Sequence, residues 1–188
     1  ENNCGWSTCF NDVYFFEEAL AKVASEVCVD LDAVFLTGAS NGGMMTHALS
    51  SALPTTFKAV MPVYGLPLVG HIDVPQALED TWILQLHDRS DHTIPYAGGY
   101  AGGWNYESAV DTLAAWAEVH ECDSSPVNTT TPYDGGDKNL ACTEWPSCSK
   151  GRVMFCLYDG VHGSWPPQEE DLTWWFFSQA STEIAAFA

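Results

Sequence analysis

Residues 33–45 read Ala33-Val34-Phe35-Leu36-Thr37-Gly38-Ala39-Ser40-Asn41-Gly42-Gly43-Met44-Met45. The apolar run between Asp32 and Gly38 predicts a short strand, buried on both faces as in a parallel sheet. Gly42 and Gly43 open a helical stretch that carries Met44, Met45, His47, Ala48 and Leu49 and ends before Pro54. Between them lies Gly38-Ala39-Ser40-Asn41-Gly42, a G-x-S-x-G sequence in the strand–turn–helix context that gives such a match meaning. The turn is sharp enough that side chains at positions 38 and 42 are expected to collide with neighbouring backbone. Ser40 then presents its Oγ at a helix N-terminus, where the dipole and free N–H groups favour a developing negative charge. Ser40 is the candidate nucleophile, and the Asn41 N–H the candidate oxyanion donor.

The same alternation continues in both directions. Residues 12–28 place Val13, Phe16, Leu20, Val23, Ala24 and Val27 at helical spacing, with Asn11 as N-cap and Glu17 and Glu18 early in the helix. Strands are predicted over Phe57–Tyr64, Trp82–His87 and Arg152–Tyr158, and helices over Tyr106–His120 and Leu172–Phe187. Alternating strands and helices imply an α/β fold, a parallel sheet with helices on both faces. Residues 123–151, rich in Ser, Thr, Pro, Asp and Gly, read as one long loop tethered by disulfides. No second domain is visible, so residues 1–188 are taken as a single catalytic domain.

A serine nucleophile needs a base, and the base needs a carboxylate to orient it. In open parallel sheets such groups lie beyond the C-terminal ends of strands. The strand ending at His87 runs into Asp88-Arg89-Ser90-Asp91, and the one ending at Tyr158 into Asp159-Gly160-Val161-His162. His162 is therefore the candidate base, and Asp91 competes with Asp88 for the acid.

Three segments together resemble the polyhydroxybutyrate depolymerase-like and feruloyl esterase-like family 1 carbohydrate esterases. They are Gly38–Thr46, Leu86–Tyr96 (similar to a His-Gly-Thr-x-Asp-x-x-Val-Pro-Tyr acid loop) and Asp159–Pro166 (similar to Gly-Gly-Gly-His-x-Trp-Pro). The closing Trp174-Trp175-Phe176-Phe177 is similar to that family's last helix. The resemblance implies an α/β-hydrolase fold and a serine esterase whose triad is Ser40, Asp91 and His162, with the acid on Asp91 rather than Asp88. It implies no cofactor and no metal. Favoured substrates are feruloyl-type or other polysaccharide-linked esters, then a polyhydroxyalkanoate. Trp165, Trp104 and Tyr64 are the candidate substrate-binding residues. The chain departs from the pattern in having one extra residue before Trp165 and in carrying Asp159 and Val161 where the family has glycines.

In that fold the nucleophile strand is the fifth. The earlier strands, and the loop carrying a second oxyanion amide, have no counterpart in residues 1–188. The strand at 33–37 is thus expected to be an open apolar edge, covered by an N-terminal fragment of the same precursor.

Composition narrows the setting. The net charge is −19, with 6 Lys and Arg, which disfavours nucleic acid, anionic membranes and polyanionic substrates. No apolar run is long enough to insert in a membrane. Seven cysteines without a CxxC pair, and the Asn128-Thr129-Thr130 sequon, suit a secreted glycoprotein with disulfides rather than a zinc site. The family's habit implies Cys122–Cys148, and proximity suggests Cys4–Cys9. The other reading, an extracellular structural or glycan-binding protein on an esterase-like domain, keeps the tryptophans and dispenses with Ser40.

Overall fold

The computed structural model describes residues 10–71, 73–78, 80–166 and 168–187. The proposed Cys4–Cys9 pair lies outside them. Helix α1 spans Asp12–Glu26, with the Asn11 side chain accepting from the Tyr14 N–H as the N-cap. Strand β1 (Phe35–Ala39), helix α2 (Asn41–Ala52), strand β2 (Ala59–Val63) and strand β3 (Trp82–Asp88) follow. A small hairpin, β4 (Gly99–Ala101) and β5 (Trp104–Tyr106), precedes helix α3 (Ala109–Val119). Then come β6 (Val127–Thr129), β7 (Ala141–Trp145), β8 (Val153–Tyr158) and helix α4 (Glu169–Phe187).

The main sheet runs β1-β2-β3-β8-β7-β6. Strands β1, β2, β3 and β8 are parallel, whereas β7 and β6 pair antiparallel beyond them. The stretch 123–151 is therefore not one long loop: it adds two strands to the sheet. Its strand segments are short and set among polar residues, and their pairing becomes visible only against β8. There Cys142 stands opposite Cys156, and the two form a disulfide. The predicted Cys122–Cys148 bond is also present, and Cys28 is a free, exposed thiol. Asn128 is exposed on β6, the outer strand.

Both faces of the central strands are covered, as their near-continuous apolar character requires. On one face Met61, Val63, Leu84 and Leu86 pack with Leu172, Phe176 and Ala180 of α4. On the other, Val60, Ile83, Val153 and Phe155 pack with Leu49 of α2 and Leu113, Trp116 and Ala117 of α3. Alternation along each strand divides the two sets. Helix α1 joins this second layer through Val13, but none of its residues is buried. Tyr14, Phe15, Val23 and Val27 are exposed. Among the described residues no helix is long and apolar enough to cross a membrane.

Two histidines that read as ordinary helix residues are built into this packing. His120 is fully buried, with Nε2 2.7 Å from the Thr81 carbonyl. His47 on α2 is buried with Nε2 3.0 Å from Gln85 Oε1, and burial pushes its pKa down from 6.5 to about 4. The unfolded chain thus takes up a proton below about pH 6.5 that folded His47 refuses until about pH 4. Stability linked to this group is therefore lost across that window on acidification, by roughly 3 kcal/mol in total. Urea unfolding of the parent and His47→Gln at several pH values should show the parent losing stability relative to the variant between pH 7 and 4; parallel curves would contradict the burial account.

Candidate active site

Ser40 follows the last residue of β1, and α2 begins with Asn41. Ser40 has φ 56°, a left-handed conformation that costs a non-glycine residue on the order of 1–3 kcal/mol. The surrounding backbone holds it there. Its N–H donates to Val63 O at 2.9 Å, and its carbonyl accepts from Met44 N at 3.0 Å. Such proximity leaves no room for side chains. A Cβ on Gly38 would lie 2.4 Å from the Gly42 carbonyl oxygen, one on Gly43 2.8 Å from Val63 O, and one on Gly65 2.4 Å from Ser40 O. The expected collision at position 42 is not found, since a Cβ there meets nothing within 4 Å. The backbone of Gly42 crowds position 38, while its own Cβ direction points into open space, so the steric demand falls on Gly38, Gly43 and Gly65 instead.

Parallel pairing carries the ends of β1, β3 and β8 to one edge of the sheet, and the predicted groups meet there. Ser40 Oγ is 2.8 Å from His162 Nε2, and His162 Nδ1 is 2.7 Å from Asp91 Oδ2. Asp91 Oδ1 accepts from the backbone N–H groups of Thr93 and Ile94 at 2.8 and 2.9 Å. Burial alone would raise the Asp91 pKa, but hydrogen bonds from His87, His162, Ile94 and Thr93 outweigh it and hold the value at about 2. An ionised carboxylate only accepts, so His162 carries its proton on Nδ1 and offers Nε2 to the serine hydroxyl.

Asp88 has the opposite surroundings. It is fully buried at the end of β3, and among the described residues neither carboxylate oxygen has a hydrogen-bond partner. Burial, reinforced by Asp91, pushes its pKa up. The backbone N–H groups of residues 93 and 94 thus separate the two aspartates, and only Asp91 reaches His162.

The histidine loop closes on itself. Val161 N–H donates to Ser164 Oγ, and Ser164 N–H to Val161 O. Asp159 is tied down by the Asn139 amide and lies 3.7 Å from Arg89 Nε. Tyr64, at φ 34°, turns its ring edge-on to His162 at 5.0 Å and to Trp165 at 5.2 Å. Burial, then Glu169, Asp88 and Asp91, raise its pKa to about 12, so the phenol stays neutral. Trp165 is exposed, giving an open aromatic wall beside the triad. Trp104 is exposed on the β4–β5 hairpin and makes no ring contact with that wall among the described residues. The Gly102-Gly103 dipeptide, with both φ positive, is the hairpin signal that periodicity missed.

Sheet, helices and the three strand-end loops define an α/β-hydrolase fold. The family model of the prolyl oligopeptidase family matches residues 7–74. Feruloyl esterase D of Neurospora crassa is 36% identical over 186 residues, covering 94% of this chain and 59% of the relative. Feruloyl esterase C of Emericella nidulans is 30% identical over 185 residues, covering 95% and 62%. The chain spans about three fifths of the length of these curated relatives. Among solved structures, an acetyl xylan esterase from Aspergillus awamori superposes with a TM-score of 0.61 at 18% identity, over 88% of this chain and 67% of that one. The chain is thus similar in sequence to feruloyl esterases and shares its fold with esterases.

Proposed function

We propose that this chain carries a serine carboxylic-ester hydrolase acting outside the cell on polysaccharide-linked esters, feruloyl-type esters foremost. The observation that carries this is the Ser40–His162–Asp91 relay, closed at 2.8 and 2.7 Å. Ser40 Oγ attacks the ester carbonyl while His162 Nε2 takes its proton. The oxyanion develops at the N-terminus of α2, where the Asn41 N–H is the donor. His162 then gives the proton to the departing alcohol, leaving an acyl-enzyme. Water enters by the same relay and releases the acid. Asp91 stays ionised throughout, holding the Nδ1–H tautomer and stabilising the imidazolium. No step calls for a cofactor or metal.

The exposed Trp165, backed by the buried Tyr64 that packs edge-on to His162, supports an aryl acyl group, and the names of the relatives support a feruloyl one. Two disulfides and the exposed Asn128 support secretion and glycosylation. Among the described residues β1 has β2 as its neighbour on one side only, and Tyr14, Phe15, Val23 and Val27 in and just after α1 are exposed. An N-terminal fragment of the same precursor, pairing along that edge and bringing a second oxyanion amide, fits this surface.

With an aryl ester such as methyl ferulate, Ser40→Ala and His162→Ala should lower kcat by about four to six orders of magnitude, and Asp91→Asn by about four. Asp88→Asn should stay near the parent. Parent-like turnover in Ser40→Ala would move the chemistry elsewhere. For the edge, native mass spectrometry of the active species should find a mass larger than that of these 188 residues and glycan; an active monomer of these residues and glycan alone would refute it.

A further inference from the structure

Behind Asp91 a second line of polar side chains runs from β3 into α2, and acyl transfer as described makes no use of it. Alternation puts Gln85 and His87 on the face of β3 that Ile83 turns to α2 and α3, and both are fully buried. His87 Nε2 lies 2.8 Å from Ile94 O and 3.4 Å from Asp91 Oδ2, the same oxygen that holds His162. Gln85 Nε2 lies 3.3 Å from His87 Nδ1 and 3.3 Å from Gly65 O. Gln85 Oε1 lies 3.0 Å from His47 Nε2.

Each link has one possible polarity. Ile94 O and Gly65 O can only accept, so His87 Nε2 and Gln85 Nε2 are donors. His87 Nδ1 therefore accepts from the Gln85 amide, and Gln85 Oε1 accepts from His47 Nε2–H. The three residues form a donor line that starts on the nucleophile helix seven residues after Ser40 and ends on the carboxylate.

We infer that His87, held in its Nε2–H tautomer by Gln85 and His47, is a positioning residue whose single N–H, bonded to Ile94 O, also lies 3.4 Å from Asp91 Oδ2 and so sets how strongly Asp91 holds His162. The inference rests on the ester-hydrolase reading for its consequence in catalysis. A donor from the side of the sheet stops the carboxylate rotating away from His162. It also draws charge from Oδ2, so removing it makes Asp91 a stronger base towards the imidazolium, and His162 then keeps its proton to higher pH. The titratable groups facing this pair are Asp88, His162, His47, Tyr64, Tyr96, Tyr106 and Tyr158. All of them stay in place in the variants below.

The test is the pH dependence of kcat/KM for an aryl ester, with the full-length enzyme, alongside NMR titration of the His162 ring, which needs no turnover. His87→Leu should lose about 10- to 100-fold in kcat, the scale of a hydrogen bond to a charged group, with KM little changed. Its acidic limb and its His162 titration should both move to higher pH. His87→Gln, whose amide nitrogen reaches the place of Nε2, should recover most of both. A titration midpoint does not depend on the fraction folded; should His87→Leu give no folded protein, Gln85→Leu is read for a smaller shift of the same sign. An acidic limb and a His162 titration that match the parent's in the folded variants overturn the proposal. An inactive parent whose His162 titration still moves in His87→Leu removes the esterase reading and supports the positioning role.

Discussion

Ser40 donates its N–H to Val63 O at 2.9 Å while its own φ stands at 56°, and Gly38, Gly43 and Gly65 leave no space between the three backbone segments involved. The geometry of the site depends on this contact. The strained residue is held by the C-terminal end of β2 on one side and the first turn of α2 on the other. The hydroxyl is consequently fixed relative to the sheet rather than carried on a mobile loop. Because β3 and β8 lie in the same parallel sheet, the loops that follow them reach the same edge, and His162 and Asp91 need only short excursions to close the relay.

The division of labour between the two aspartates follows from backbone geometry as well. Asp91 sits where the chain turns after β3, and the turn aims two N–H groups at Oδ1. Those donors repay the desolvation of the charge and leave Oδ2 for His162. Asp88, three residues earlier and still on the strand, finds no donor among the described residues, so its charged form is disfavoured. One end of β3 thus holds an ionised carboxylate beside a buried one that resists ionisation.

Much of this was legible in the sequence. The G-x-S-x-G turn, the strand-end Asp91 and the strand-end His162 are local signals, because a loop after a predicted strand has only one place to go in a parallel sheet. The helices read over 12–28 and 106–120 from apolar periodicity run from 12 to 26 and 109 to 119, the helix after Ser40 followed from Gly42, Gly43 and Pro54, and Cys122–Cys148 from the family resemblance. What was not legible depends on partners distant in sequence. Strands β6 and β7 are short and lie among polar residues, and they pair only along the edge that β8 offers; Cys142 meets Cys156 only in that register. Gly42 was misread because a motif shows which residues are glycine but not which atom faces the crowded side. The Gln85–His87 pair, two polar residues on one face of an otherwise apolar strand, was a visible anomaly whose meaning required His47 on the neighbouring helix.

The central claim is that Ser40 is a nucleophile activated by His162. Labelling the full-length protein with a fluorophosphonate, followed by peptide mapping, tests it most directly, because the probe reacts with an activated serine and not with an ordinary hydroxyl. The account predicts one adduct, on Ser40, whose formation rate falls as pH drops through the titration of His162 and which is absent in His162→Ala. An adduct on another residue, or no adduct on a folded protein, would contradict it.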